Sequence, residues 1–470
     1  MATTTRTPAG LAMKPTIAGR LDRLPPARHL LALVARISTG GFFEFYDLFM
    51  TGYIAVGFIK AGIFLPTTPN FFDLRGFASF VGSGFAGMFL GTLLFSWVSD
   101  RFGRRATFTY SLLWYSIATA VMAFMSSPAT IDLWRVIAGI GVGVQLITID
   151  TYVTELTPKE VRGRYIAFSQ AITFSAVPVV AIASLLLIPH VFFGLAGWRF
   201  VVLIGALGAF IIWPLRATLP ESPRWLAAHG RLDEADAVLS EMESRIEAET
   251  GPLPEPEIVP GEIATSESRG DLREIWRAPY AGRTVMLTIF NFFQTIGFYG
   301  FASWIPTLLL SEGISVTKSL AFVFVIAIVN PLGPLVAMRF ADVFERKWQI
   351  VTLAIVIATC GLLWAQQREA AGIIAFGVVI TLANTWFSSA FHAYQAELYP
   401  TRIRGQAVGF VYSWSRFSSI FVGFLIAASL KAYGPTGVFT IIAIAMGVVA
   451  VTIGVFGPKS NRVRLEILSR

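Results

Sequence analysis

Two carboxylates lie inside an apolar stretch near the N-terminus. Residues 40–52 read GGFFEFYDLFMTG, and Glu44 and Asp47 are the charged members of this stretch. Side chains three residues apart share one face of a helix, and a carboxylate at bilayer depth is costly unless it faces a cavity or a partner. Acids in such a position can bind and release protons, so the stretch is interpreted as the proton-handling helix of a transporter. A purely structural buried ion pair is the alternative.

The composition places this stretch in a membrane protein. The 470 residues are 55% hydrophobic and 14% charged, whereas soluble proteins carry about 25% charged residues. A net charge of +8 is compatible with nucleic-acid binding, but the basic residues form short clusters between apolar runs, which is typical of cytoplasmic loops. Cys360 is the single cysteine, so an intrachain disulfide is excluded.

Apolar runs of the length needed to cross a bilayer, roughly 20 residues in a helix, predict twelve transmembrane helices. They lie near residues 32–57, 77–98, 106–127, 132–154, 165–188, 199–215, 284–309, 319–339, 348–366, 371–395, 405–429 and 434–457. The loops that would face the cytoplasm are richer in Lys and Arg than the others, and residues 1–30 contain no apolar signal-peptide core. We therefore expect both termini in the cytoplasm and a location in the plasma membrane, which is the inner membrane if the protein is bacterial.

These spans divide the chain into five segments. They are a cytoplasmic N-terminal tail (1–31), a six-helix bundle (32–215), a cytoplasmic linker (216–283), a second six-helix bundle (284–457) and a cytoplasmic C-terminal tail (458–470). Within the linker, residues 232–249 predict an acidic amphipathic helix, and residues 251–261 are rich in Pro and Gly. We interpret the helix as a solvated connector, with a partner-binding role as the alternative.

Two short patterns occur twice in the sequence. DRFGRR at 100–105 matches DVFERK at 342–347, and ELTP at 155–158 matches ELYP at 397–400. Both pairs are separated by 242 residues, so the chain is interpreted as a tandem of two parallel six-helix halves. Two halves that rock about a site at the bilayer midplane give the alternating access of a secondary transporter.

Three motifs carry a family resemblance over nearly the whole chain. The stretch from Gly91 to residues 100–105 resembles the loop between helices 2 and 3 of the major facilitator superfamily. Arg135 with the glycines of 139–143, and PESPRWL at 220–226, resemble the sugar-porter and metabolite–proton-symporter branches. The resemblance implies an all-α membrane protein with twelve transmembrane helices in two six-helix pseudo-repeats, the major facilitator fold. It also implies that Asp47 titrates and that Arg135 is its partner.

The expected depths of these residues agree with that pairing. Arg135 lies a few residues inside the outer end of helix 4, Asp47 lies past the middle of helix 1, and at about 1.5 Å rise per residue the two are within about two turns in depth. An adjacent guanidinium favours the charged carboxylate and desolvation favours the neutral acid, so a conformational change can load and release a proton. Glu44 is similar to the second helix-1 acid of organic-acid symporters, and two close carboxylates titrate as a coupled pair.

Two further ionisable residues lie in predicted spans. Asp150 is interpreted as a relay acid, a cytoplasmic gate residue or a structural pair. His392 is interpreted as hydrogen-bonded packing, with a proton relay as the alternative.

Charged residues at the predicted cytoplasmic level indicate an ion-pair gate. We expect their ion pairs to stabilise the outward-open state and to separate when the cytoplasmic side opens. The other interpretation is that these charges only set the orientation of the chain in the membrane. The expected gate residues are Asp100, Arg101, Arg104, Glu155, Arg164, Glu221, Asp342, Arg346, Glu397 and Arg404.

A single arginine within a span of the second half predicts the substrate site. Burying Arg416 is costly without an anion, and a guanidinium can hold a carboxylate through two hydrogen bonds, so Arg416 is expected to bind a substrate carboxylate. Pairing with an acid of the protein is the alternative. Polar and aromatic residues expected around it are Asn291, Gln294, Tyr299, Asn384 and Trp386, with Asn330 nearby.

The sequence therefore predicts a proton-coupled symporter that imports a small organic anion. A sugar or polyol symporter is the alternative, and a transporter-like receptor that moves nothing is a third hypothesis. An enzyme is not expected, because no metal-ligand cluster, nucleotide loop or nucleophile elbow is present. We expect the substrate, protons and the lipid bilayer as partners, a monomer, no nucleic acid, no metal and no cofactor.

Overall fold

The computed structural model describes residues 16–64, 77–256, 272–302, 322, 324–341, 343–400 and 403–461. These residues are almost entirely helical. Each of the twelve predicted spans overlaps a helix in the described part of the chain, although the edges differ by several residues.

The N-terminal half contains ten helices within its described residues. They are α1 (Ile17–Asp22), α2 (Arg28–Lys60), α3 (Phe77–Leu94), α4 (Ser96–Phe102), α5 (Arg104–Met122), α6 (Pro128–Leu156), α7 (Arg162–Phe174), α8 (Ala176–Leu187), α9 (Gly197–Ala206) and α10 (Gly208–Leu215). A short antiparallel hairpin joins β1 (Val191–Phe192) to β2 (Leu195–Ala196).

The linker and the C-terminal half follow in the same pattern. Their described helices are α11 (Pro223–Ala228), α12 (Leu232–Thr250), α13 (Tyr280–Ala302), α14 (Leu332–Phe340), α15 (Arg346–Trp364), α16 (Ala370–Glu397) and α17 (Arg404–Phe456). The predicted spans 405–429 and 434–457 are joined in α17 across a kink at Gly434, whose φ of 65° is followed by Pro435.

Local sequence explains several helix boundaries. Ser127 caps α6 by accepting a hydrogen bond from the Thr130 amide at 3.2 Å, and Pro128 occupies the first helical position, where a missing amide costs nothing. The predicted span 165–188 is divided into α7 and α8, because Pro178 cannot donate to the Phe174 carbonyl four residues earlier. Gly103 turns the chain between α4 and α5 with a φ of 96°.

Helices α3 and α6 approach each other at backbone distance. A Cβ on Gly87 would lie 2.2 Å from the Val136 carbonyl oxygen, and one on Gly143 would lie 2.4 Å from that of Met88. Only glycine allows such an approach, so these glycines serve the packing of α3 on α6. Gly84 lies beside the side chain of Arg135 in the same interface, which fixes the position of that arginine.

The linker helix α12 packs on the bundle and on the N-terminal segment. Its buried face includes Leu239, Met242 and Ile246, and Glu243 forms ion pairs with Arg20 at 2.6 Å and Arg23 at 2.7 Å. The amphipathic helix is therefore exposed on one face and packed on the other. The helix holds α1 against the bundle through an apolar face and a shared carboxylate.

Candidate proton and substrate site

The first transmembrane helix brings Asp47 to Arg135 of α6. The Arg135 Nη1 atom donates to Asp47 Oδ2 at 2.6 Å, and Thr119 of α5 donates to Asp47 Oδ1 at 3.0 Å. Arg135 also donates from Nη2 to Thr51 at 2.7 Å. Asp47 and Arg135 are fully buried, so the charge of each is balanced by the other rather than by water.

Glu44 lies one turn from Asp47 on the same helix and is equally buried. Its Oε1 atom accepts no hydrogen bond from the described residues. Three charged groups act on it, those of Arg416, Asp150 and Asp47. Glu44 therefore lies within electrostatic range of both halves of the chain.

Arg416 on α17 is the cation of the second half at this level. Its Nη1 and Nη2 atoms donate to the hydroxyls of Tyr299 and Tyr412, each at 2.6 Å. The side chain is buried, and its Nε atom has no hydrogen-bond partner in the described part of the chain. The guanidinium is therefore held by two neutral hydroxyls, whereas the alternative expectation was a pair with a carboxylate of the protein.

Polar side chains of α13 and α16 lie buried in the second half. Asn291 donates to the Leu287 carbonyl at 2.9 Å and to Gln395 at 3.4 Å, while its Oδ1 atom has no partner among the described residues. Gln294 donates to the neighbouring Thr295 at 3.2 Å, and Asn384 is also buried. Sequence reasoning missed Gln395, although its place three residues after His392 was a visible signal.

Trp386 does not join this set. Its indole donates to Gln349 of α15 at 3.0 Å and stacks on Phe340 of α14 at 5.8 Å between ring centres. These contacts lie on the side of α14 and α15, so the expected place of Trp386 beside Arg416 stays a prediction. Asn330 is half-buried and donates to the Ala327 carbonyl of its own segment at 3.0 Å.

Aromatic rings from the two halves meet near Tyr299. Phe298 lies 6.3 Å from Phe49 and 6.1 Å from Phe174, and Tyr299 lies 5.1 Å from Phe85. These contacts join α13 of the second half to α2, α7 and α3 of the first. The sequence signal was the position of Phe49, two residues beyond Asp47.

Ion pairs join the halves where the repeated motifs meet, and we call this region the ion-pair end. Glu155 lies 2.9 Å from Arg104 of its own half and 3.3 Å from Arg404 of the other half. Glu397 lies 3.4 Å from Arg346 of its own half and 3.4 Å from Arg162 of the other. The 242-residue repeat relates one arrangement to the other, and the ion-pair end is closed in this structure.

Two further carboxylates support this cluster through backbone groups. Asp100 pairs with Arg104 at 2.7 Å and accepts a hydrogen bond from the Gln406 amide at 2.9 Å. Glu221 accepts from the amides of Arg104 at 2.8 Å and Ser222 at 2.9 Å, so it caps α5 rather than forming a side-chain ion pair. Burial raises the pKa of Glu221 and that of Asp100 above their ordinary values, and these hydrogen bonds partly offset the effect.

Two of the expected gate residues lie outside the buried ion pairs, and a third is not described. Arg101 is exposed over the rings of Trp97 and Phe102, at 5.7 and 5.5 Å, so its part in the gate stays a prediction. Arg164 is half-buried, and the arginine of its segment that reaches Glu397 is Arg162. Asp342 lies outside the described residues.

Asp150 and His392 form one more contact between the halves. The Nδ1 atom of His392 on α16 forms a hydrogen bond with the Oδ2 atom of Asp150 on α6, and both side chains are buried. The roles considered separately for Asp150 and for His392 therefore have to be considered for the two residues as a pair. In the described part of the chain, no cluster of three or more His, Cys, Asp or Glu side chains could hold a metal ion.

Comparison with known proteins gives concordant matches over nearly the whole chain. A family model described as "Sugar (and other) transporter" matches residues 33–470. A putative metabolite transport protein of Bacillus subtilis, YyaJ, is 33% identical over 94% of this chain and 96% of its own. The niacin transporter NiaP of Acinetobacter baylyi is 28% identical over 96% of this chain and 99% of its own. The crystallised proton:xylose symporter XylE has the same fold, with a TM-score of 0.75 and 20% identity over 94% and 98%.

Proposed function

Because the chain belongs to the family of sugar and other transporters within the major facilitator superfamily, we propose that it is a proton-coupled symporter that imports a small organic anion. The membership establishes a transporter of twelve transmembrane helices in two six-helix halves rather than an enzyme. The nature of the cargo and its coupling to protons are argued below from the site.

Arg416 is the observation that carries the anionic cargo. A buried guanidinium requires compensation of its charge, and Tyr299 and Tyr412 supply hydrogen bonds but no negative charge. A cargo carboxylate would supply both, in the two-pronged geometry that guanidinium favours. The description of NiaP as a niacin transporter agrees with a small aromatic acid, since niacin combines a carboxylate with a flat ring.

Glu44 gives this site a reason to couple cargo to protons. The charge of Glu44 already acts on Arg416, so an ionised Glu44 and a cargo carboxylate compete for the same cation. Protonation of Glu44 removes its negative charge and favours the cargo. We therefore assign to Glu44 the proton that accompanies binding of the anion.

Asp47 and Arg135 supply the second proton-dependent element. Protonation of Asp47 would remove the charge partner of a buried arginine, and a buried pair that loses one charge is weakened by several kcal/mol, about 3–5 in measured cases. Release of Arg135 from Asp47 frees α2 to move relative to α6. Movement of that kind is what alternating access requires of the first half.

Uptake into proteoliposomes with an imposed pH gradient tests the proposal. We expect labelled pyridine or benzene monocarboxylates to accumulate when the outside is acidic, and hexoses and polyols to leave that uptake unaffected. Accumulation of a hexose with no competition by monocarboxylates would overturn the anionic cargo. Binding of a monocarboxylate with no uptake in sealed vesicles would instead support the receptor hypothesis.

A sugar or polyol is the second candidate cargo. The buried amides of Asn291, Gln294 and Asn384 suit neutral hydroxyl groups, and Asn291 retains an unpartnered Oδ1 atom within the described residues. In that case Tyr299 and Tyr412 would hold Arg416 for a structural reason. The same uptake panel separates the two candidates.

A further inference from the structure

Asp150 and His392 occupy equivalent positions in the two halves. They are separated by 242 residues, which is also the distance between the two copies of each repeated motif. Their helices, α6 and α16, therefore meet at the approximate twofold axis that relates the two halves. Movement of one half against the other directly makes or breaks a contact at this axis.

The pair lies between the Arg416 site and the ion-pair end. The His392 ring is 5.5 Å from the ring of Tyr412, which holds Arg416. In the other direction, Glu155 and Glu397 each follow by five residues on the same two helices. Separation of the ion pairs made by those two glutamates would therefore pull Asp150 away from His392.

Charged and titratable groups from two further helices, α2 and α17, act on the pair. Glu44 of α2 and Tyr412 of α17 act electrostatically on Asp150, and Arg416 of α17 acts on both Glu44 and Tyr412. A negative Glu44 favours a positive charge on His392, and the cation of Arg416 opposes it. The protonation of His392 is thus tied to the charge state of the cargo site.

We propose that Asp150 and His392 form a second proton-binding site, which is assembled only while the ion-pair end is closed. The inference rests on the proposed function for its place in the transport cycle. With the Nδ1 hydrogen donated to Asp150, a hydronium ion transfers a proton to Nε2. This step leaves a water molecule and converts the imidazole to imidazolium. The hydrogen bond to the carboxylate then joins two opposite charges and is strengthened.

The direction of the proton follows from this geometry. The contact is strengthened when the imidazole becomes charged, and acid favours that charged form, so acid favours the closed ion-pair end. When the halves part at this end, the imidazolium loses its carboxylate and releases its proton on that side. A cargo carboxylate on Arg416 offsets the cation that opposes His392, so loading of cargo favours loading of this proton.

A distance measurement that needs no cargo tests the inference. Glu160 and Lys459 are exposed at the ion-pair end, one in each half, and cysteines at these two positions in a Cys360→Ser background can carry spin labels in reconstituted protein. We expect the ratio of short to long distances to rise about tenfold between pH 8 and pH 5.5, the scale of a charged hydrogen bond. Asp150→Asn and His392→Gln should each abolish most of that rise.

Matched variants separate this inference from the proposed function. Asp47→Asn should keep the pH-dependent rise in short distances while losing accumulation of cargo. An unchanged rise in both Asp150→Asn and His392→Gln would overturn the second proton site, whatever the cargo proves to be. Loss of the rise in Asp47→Asn with full retention in the other two would also overturn it, because the pH response would then belong to Asp47.

Discussion

Glu155 and Arg404 form a buried ion pair of 3.3 Å between the two halves of the chain. The equivalent pair in the repeat joins Arg162 to Glu397 at 3.4 Å. Each half therefore supplies one glutamate and one arginine to the other, so movement of the halves apart at this end would act on both pairs.

Glu155→Gln should shift the protein towards an open ion-pair end. The change removes the Glu155 carboxylate from Arg404 of the other half and from Arg104, which keeps Asp100, and removal of one partner of a buried pair costs about 3–5 kcal/mol. Full inversion of a 99:1 equilibrium takes about 5.5 kcal/mol, and a change of about 3–5 kcal/mol carries it past the midpoint, so the short distance between labels at positions 160 and 459 should become the minor population at pH 7.

Glu241→Gln is the matched control for that change. Glu241 pairs with Arg245 on the exposed face of α12 at 2.6 Å, and surface pairs contribute little. Its distance distribution should equal that of the unmodified protein. Equal distributions for Glu155→Gln and Glu241→Gln would contradict the gate.

Asp47→Asn should separate transport from the proton gradient. Asparagine keeps the size of the side chain and can still accept from Thr119, but it cannot carry the charge that holds Arg135. We expect exchange of labelled for unlabelled cargo to persist while accumulation driven by an acidic exterior falls by at least about tenfold, which corresponds to 1.4 kcal/mol. Both are measured in the same proteoliposomes, and full accumulation by this variant would remove Asp47 from the coupling machinery.

Arg416→Gln should weaken binding of a carboxylate far more than binding of its neutral amide. Truncating one side of a buried charge pair costs about 2–5 kcal/mol, so the Kd for the acid should rise by roughly 30-fold or more. Tyr299→Phe and Tyr412→Phe each remove one hydrogen bond to the guanidinium and should give smaller losses. Calorimetric titration with matched acid and amide ligands measures the difference.

Arg101→Gln is the control for the loss of a positive charge. Arg101 is exposed over aromatic rings, and its replacement should leave both Kd values unchanged. Equal losses of acid and amide binding in Arg416→Gln would mean that the arginine supports the fold of the site and does not contact a carboxylate.

The apolar runs and the repeated motifs were enough to predict the helices and the two halves, but they could not predict which residues form contacts between the halves. The repeat showed that Glu155 corresponds to Glu397, yet nothing in one copy says which half supplies the paired arginine. Asn384 and Trp386 were assigned to one site because they are close in sequence. Two residues apart in a helix, however, means about 200° of rotation, and the structure places them on different faces.

The same geometry explains the choice between Arg162 and Arg164. Both arginines lie in one short segment after α6, and the sequence offered no reason to prefer either. Helix α7 starts at Arg162, so the two arginines differ by about 200° of rotation on this helix. Arg162 is the one whose side chain reaches Glu397. Long-range electrostatics of this kind depends on packing, and packing depends on residues far away in the chain.

Gly143→Ala should lower the thermal stability of the protein. An added Cβ would lie 2.4 Å from the Met88 carbonyl oxygen, and neither backbone can yield without separating α3 from α6. Overpacking of this kind costs about 1–3 kcal/mol, so the midpoint of unfolding in detergent should fall by several degrees. Gly447→Ala is the control, because no atom of the described residues, apart from its own stretch of helix, lies within 4 Å of its Cβ position. A similar fall there would contradict the packing argument.

Docking of α1 on α12 should be insensitive to pH between 5 and 8, in contrast to the ion-pair end. Burial alone would raise the pKa of Glu243, but hydrogen bonds from Arg20 and Arg23 hold it below its ordinary value of 4.5. A carboxylate with a lowered pKa stabilises the folded state fully above the ordinary value and loses that effect as pH falls through the lowered one. Hydrogen exchange over residues 17–22 should thus show constant protection from pH 8 to pH 5 after correction for intrinsic rates.

Glu243→Gln removes the shared carboxylate and should reduce that protection at every pH in the range. Glu241→Gln, on the exposed face of the same helix, should leave it intact. If protection fell between pH 8 and pH 5 in the unmodified protein, a group other than Glu243 would hold the N-terminal segment. Because Asp150 and His392 lie in the membrane bundle, the Glu243→Gln variant should also retain the pH-dependent distance change at the ion-pair end, which makes the two contacts independent.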